Sequence, residues 1–270
     1  MPYDVDVEAD GPYLDVIRSA LRVCLNYKPA CGQGRSAGVT LEEFQRLYSD
    51  DEFYAWFGLD SPLVYAAHKA AGGLTSVYRQ IGIACQTLFC KVLQDGLGLT
   101  APDATWFYSV PRTKGKPRKL SLDGRIPLAR VLVPERRRAV EAWLTDAAAR
   151  VNLRRKKVRS LEGCVFEVRQ GYKSNDAKRQ NADIANAASA YAHDYLPVML
   201  LLSTQIPANL AERYVRARWL LLRGVNSGSP VESTYAFCRD VLGYDLAGFF
   251  QRNSGVIKAE TLTVLKGLLQ

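Results

Sequence analysis

The sequence predicts an α/β protein: a mixed central β-sheet flanked by helices, with a largely helical N-terminal region and a helical C-terminus. Three observations predict it. Apolar residues recur at helical spacing through most of the first hundred positions. From about Pro102 onward, β-prone runs alternate with helical patterns. The run from Pro197 to Ser203 is short and almost continuously apolar, as in a strand buried on both faces. With 270 residues, 48% of them hydrophobic and 23% charged, the chain can bury a core and is not disordered. The expected organisation is a helical region over residues 1–100 and a mixed α/β core with a helical tail over residues 101–270, a division that also suits one continuous domain.

The elements follow in order. Tyr13, Leu14, Val16, Ile17, Ala20, Leu21, Val23 and Cys24 mark a first helix, and the Pro- and Gly-bearing residues 28–38 a loop. Thr40-Leu41-Glu42-Glu43 opens the next helix, with Thr40 as N-cap and Glu43 closing a capping box. Asp60-Ser61-Pro62 starts another, with proline in its first turn. Gly72-Gly73 is expected to break it, before a long, largely buried helix from Ser76 to Gln94. Thr105–Val110 and Lys119–Asp123 read as a hairpin with a Pro-, Gly- and Lys-rich tip. Pro134 opens a helix to about Val151. A basic strand over Lys156–Ser160 and an apolar strand over Cys164–Val168 come next. Asp176–Tyr195 is expected as helix, Pro197–Ser203 as the buried strand, and Pro207–Arg223 as helix, followed by a Gly-Ser loop and further helix.

The net charge of +9 is unevenly placed. From Arg112 to Arg179 there are 20 Lys and Arg against seven Asp and Glu, a local excess of +13, so the rest of the chain is net acidic. A localised basic region of this kind suits an anionic polymer such as nucleic acid. Six cysteines occur without a CxxC pair, and only two histidines, so no zinc pattern is present. No signal peptide or transmembrane run is recognisable; a cytoplasmic protein with no membrane partner is expected.

The most informative stretch is Val165–Asp183. Glu167 stands inside the apolar run Cys164-Val165-Phe166-Glu167-Val168. A buried carboxylate without a partner costs several kcal/mol, so something must occupy it: a neighbouring cation on an exposed strand face, or a metal ion. Arg169, Gln170, Lys173, Lys178, Arg179, Gln180 and Asn181 follow at once. Cations suit a phosphodiester backbone, and Arg, Gln and Asn also pair with base edges. The hairpin tip, Lys114-Gly115-Lys116, is a further candidate for a DNA groove. Metal-assisted phosphodiester hydrolysis needs two or three carboxylates and a cation by the phosphate. Glu167 is the first candidate ligand, and Asp123 and Glu162 are both candidates for the second. His193-Asp194 and His68 are expected to be structural.

Glu167-Val168-Arg169 on an apolar strand, followed by a helix and a buried strand, resembles the core of the PD-(D/E)xK restriction endonuclease superfamily. The resemblance covers roughly residues 102–206. It implies a four- to five-stranded mixed sheet, Mg²⁺, and cleavage of double-stranded DNA as a type II restriction enzyme, with a homodimer cutting the two strands. The lysine position, two residues after the acid, holds Arg169; Lys173 is the alternative, and Asp176-Ala177-Lys178 a lesser one. Pro102-Asp103 supplies the dipeptide of the family name, at a long distance from Glu167. The catalytic set implied is Glu167 with Asp123 or Glu162, and Arg169 or Lys173. The alternatives are a non-catalytic sequence-specific DNA-binding protein and an RNA-processing nuclease on the same core.

Overall fold

The computed structural model describes residues 10–31, 37–110, 118–172 and 177–269, without the side chains of residues 110, 118–120 and 177–180. It is a mixed α/β protein whose small mixed sheet is flanked by helices. Two compact units are distinguished: residues up to Ala84 together with Arg252 onward, and Cys85–Gln251.

The first unit is helical: α1 (Gly11–Arg22), α2 (Leu41–Ser49), α3 (Glu52–Trp56), the first part of α4 (Pro62–Leu97) and the later part of α11 (Leu246–Leu269). The capping box at α2 forms as expected, with Glu43 N donating to Thr40 Oγ1 (3.2 Å) and Thr40 N to Glu43 Oε2 (2.8 Å). Asp10, buried before α1, accepts from Arg252 Nε (2.9 Å) and from Asn253 Nδ2 (2.9 Å) on α11. The expected break at Gly72-Gly73 does not occur, and α4 runs unbroken through both glycines. They serve close packing instead. A Cβ at Gly72 would lie 1.9 Å from Tyr27 Oη, and one at Gly73 2.5 Å from Leu268 Cδ2.

The second unit carries the sheet. The short helix α5 (Ala101–Ala104) leads into a hairpin of β1 (Trp106–Val110) and β2 (Arg118–Leu122), paired antiparallel with Trp106 opposite Leu122. Strand β3 (Gly124–Pro127) follows, then α6 (Pro134–Arg150), α7 (Arg155–Arg159), β4 (Gly163–Arg169), α8 (Ala177–Ala192), β5 (Tyr195–Leu201), α9 (Ala208–Arg216), β6 (Leu220–Leu222) and α10 (Thr234–Ala236). A π-helical turn, Phe237–Leu242, precedes α11. The four-stranded sheet has the order β3-β4-β5-β6, with β3 antiparallel to β4 and β4, β5 and β6 parallel. Gly163 sits where β4 meets β3 at φ +153°, and a Cβ there would lie 1.9 Å from Ile126 O. Only glycine lets these backbones approach so closely.

Two further sequence expectations are corrected, and one strand was missed. The basic strand over Lys156–Ser160 is helix α7, because Arg and Lys are good helix formers and nothing there alternates with apolar residues. The helix over Pro207–Arg223 ends at Arg216; Arg218 turns the chain at φ +60°, and Leu220–Leu222 joins the sheet. Strand β3 was not foreseen, since Gly124 and Pro127 weaken its pattern.

Alternation along β4 and β5 separates two buried faces. Phe166 faces Phe89 of α4 (4.9 Å between ring centroids) and Phe237 (5.7 Å). Val165, Met199 and Leu201 belong to the opposite cluster with Ala187 and Ala190 of α8 and Leu210 and Tyr214 of α9. Glu167 and Arg169 share the parity of Val165 and so lie under α8 and α9. The cysteines are all free, four of them buried as small core residues.

Candidate functional site

Sheet geometry dictates where the site forms. In open parallel sheets, ligands meet the protein beyond the carboxyl ends of the strands. Glu167 and Arg169 are the last residues of their face on β4, so they stand at that end. Asp123 precedes Gly124, which pairs with Phe166, so the antiparallel β3–β4 ladder brings Asp123 alongside Glu167. Its Oδ2 accepts from Val168 N (2.8 Å), and Cys90 of α4 donates to its backbone oxygen (2.8 Å). Gln86 of α4 also bonds to its carboxylate.

A third carboxylate completes the cluster. Asp183 is 3% exposed and points from α8 onto the same sheet face. Arg169 Nη2 pairs with Glu167 Oε1 and lies 3.4 Å from Asp183 Oδ1. Tyr214 of α9 donates to Asp183 Oδ2 (2.6 Å), and the Tyr172 and Tyr214 hydroxyls are 2.8 Å apart. Arg169 Nε is buried with no hydrogen-bond partner.

Two buried carboxylates, Glu167 and Asp183, and the half-buried Asp123 share one guanidinium, so negative charge would outweigh positive if all three ionised, and the ionisation equilibria respond. Burial pushes the Glu167 carboxyl from 4.5 up to about 8; Arg169 opposes the rise, and Asp123 and Asp183 add to it. Burial likewise raises Asp123, against the pull of the Val168 N–H and Arg169. It raises Asp183 too, against the Tyr214 hydroxyl and Arg169. Tyr214 is raised well above the ordinary phenol range by burial and by donating to Asp183.

The other sequence candidates fall elsewhere. Glu162 is exposed in the turn before β4, at the far end of the strand from Arg169. Its backbone N donates to Asp194 O, and it does not join Glu167 and Asp123. Gln170 is half-buried just beyond β4. Asn181, exposed on α8, accepts from Arg213 Nη2 (2.5 Å). Lys178, Arg179 and Gln180 lie in the first turn of α8, their side chains outside the description; Lys114, Lys116 and Lys173 lie outside the described residues. Asp103 pairs with Thr100 (2.6 Å) and Arg130 (3.6 Å). His193, exposed at the end of α8, sits 2.8 Å from Ser189 O with Trp106 edge-on.

Sequence reasoning missed Asp183, Tyr172 and Tyr214. For Asp183 a signal existed: with Ala187 and Ala190 it occupies positions i, i+4 and i+7, the stripe that packs on the sheet. An acid on that stripe has to find a partner.

Among the described residues no three His, Cys, Asp or Glu side chains form a group that would hold a metal ion. Magnesium commonly takes one or two carboxylates with water completing its shell. Asp123 and Glu167 are the residues of this cluster that could hold such an ion. Among the described residues, no helix is long and apolar enough to cross a membrane. Comparison with protein-family models, with curated proteins and with solved structures found no match.

Proposed function

We propose that this chain is a Mg²⁺-dependent endonuclease that hydrolyses phosphodiester bonds in double-stranded DNA, on a core of the restriction-endonuclease type. One observation carries the reading: an acid ahead of one strand, Asp123, stands beside Glu167-Val168-Arg169 on its antiparallel neighbour, and a helix and a parallel strand follow. Asp123 and Glu167 are the residues that would hold the cation. When bound, it supplies positive charge to a phosphodiester transition state. Arg169, in the position of the family's lysine, offers guanidinium donors to a phosphate oxygen. Exposed Arg154, Arg155, Lys156 and Arg159, on and just before α7, lie at the other end of β4 from Arg169, so they are candidates to meet the DNA backbone away from the cleavage point. Cutting both strands calls for two copies of the chain.

The test is incubation with unmethylated phage DNA, with Mg²⁺ and with EDTA. Discrete Mg²⁺-dependent fragments, lost in Glu167→Ala while DNA binding persists, are expected. Intact DNA under every condition refutes the reading, and preferential cleavage of RNA in competition moves it to an RNA-processing enzyme.

The closed pairing of Arg169 with Glu167 and Asp183 favours a second reading, a non-catalytic DNA-binding protein whose polar core is structural. A gel shift without cleavage is its signature.

A further inference from the structure

We infer that Asp183 is a positioning residue that keeps Arg169 in the site when Glu167 is engaged by another partner. The inference rests on the proposed function only for what that partner is, a cation.

One nitrogen, Arg169 Nη2, serves both Glu167 Oε1 and Asp183 Oδ1. Exchange of Arg169 between the two therefore needs only a small shift of the guanidinium. The two carboxylates are held very differently. Among the described residues, the side-chain partner of Glu167 is Arg169 alone. Asp183 is fixed independently of Glu167: its other oxygen accepts from Tyr214 at 2.6 Å, Tyr214 in turn accepts from Tyr172 at 2.8 Å, and Tyr172 Oη lies 3.4 Å from Met199 Sδ. Glu167 is thus the arm free to turn to a new partner, and Asp183 the fixed acceptor. The buried, unpartnered Nε leaves the guanidinium a spare donor for the shifted position. If Arg169 only neutralised Glu167, a second buried carboxylate would add desolvation cost and no benefit.

The experiment follows the Arg169 Nε–H by ¹⁵N NMR of the full chain labelled on arginine, its resonance assigned by loss in Arg169→Lys. Glu167→Met removes the acceptor without any cation, so this arm works whether or not the chain binds Mg²⁺. In Glu167→Met, the Arg169 Nε–H order parameter is expected to stay at its wild-type value, and to fall well below it in Glu167→Met/Asp183→Asn. Tyr214→Phe, which keeps the ring and the Asp183 charge, covers the case in which that double variant does not fold. Combined with Glu167→Met, it is expected to lower the order parameter, and an unchanged value overturns the inference. Mobility of Arg169 already in Glu167→Met also overturns it, whatever the activity. Ordered Arg169 in a protein that never cuts DNA leaves the positioning role standing and refutes only the nuclease.

Discussion

Glu167→Gln tests the charge balance of the cluster through the pH dependence of stability. In the wild type, burial pushes the folded-state carboxyl of Glu167 from an ordinary 4.5 up to about 8. A carboxyl raised on folding contributes its full stability below the unfolded value and loses it as pH rises through the folded value. The wild type should therefore weaken progressively from about pH 4.5 to about pH 8 and level off above. At about 1.4 kcal/mol for each pH unit, the ceiling on that loss is about 5 kcal/mol. The glutamine cannot ionise, so the variant should lose most of this slope, keeping the part due to Asp123 and Asp183, both of which are also raised by burial. Arg169 retains Asp183 in the variant, so no uncompensated cation is created. Urea unfolding of both proteins at intervals from pH 5 to pH 9 provides the comparison. The difference between the two stability curves should shift in favour of the glutamine variant with rising pH. A flat difference would refute the argument that Glu167 is held against ionisation.

Three further outcomes are expected. Arg169→Met leaves the buried Glu167 and Asp183, and the half-buried Asp123, without their cation and should cost about 3–5 kcal/mol at neutral pH in the same urea assay, far more than Glu167→Gln. Tyr214→Phe removes a hydroxyl that donates to a buried carboxylate at 2.6 Å, which should cost about 1.5–3 kcal/mol; a cost near zero means Asp183 finds another donor. Gly163→Ala brings a Cβ to 1.9 Å from Ile126 O, so β3 must separate from β4. The expected loss of several kcal/mol is in the range of strained and overpacked sites, and thermal melting reads it.

Local chemistry was legible wherever it needed few partners. The capping box of Thr40 and Glu43, the proline start at Pro62, the aromatic hairpin and the strands around Glu167 and Val198 all follow from nearest neighbours and periodicity. Misreadings arose where a residue's role depended on something distant. Gly72 and Gly73 look like breakers along the chain, yet in space they make room for Tyr27 and Leu268. Leu220–Leu222 reads as a continuing helix until a parallel neighbour, β5, is in place to pair with it.

The same division runs through the site. The sequence by itself determined that Glu167 and Arg169 share one face of an apolar strand, because side chains alternate on a two-residue period. It also determined that they fall within a stretch of the chain rich in Lys and Arg. Only the tertiary structure decided which second acid belongs to them. Asp123 and Glu162 were equivalent along the chain; the antiparallel ladder brings Asp123 alongside Glu167 and leaves Glu162 at the other end of β4. Tertiary packing alone brought in Asp183 and Tyr214, by laying α8 and α9 across that face. The physical reason is the short reach of desolvation and hydrogen bonding. Both act over a few ångströms in space, so they link residues 123, 167, 183 and 214 only once the sheet and its helices have formed.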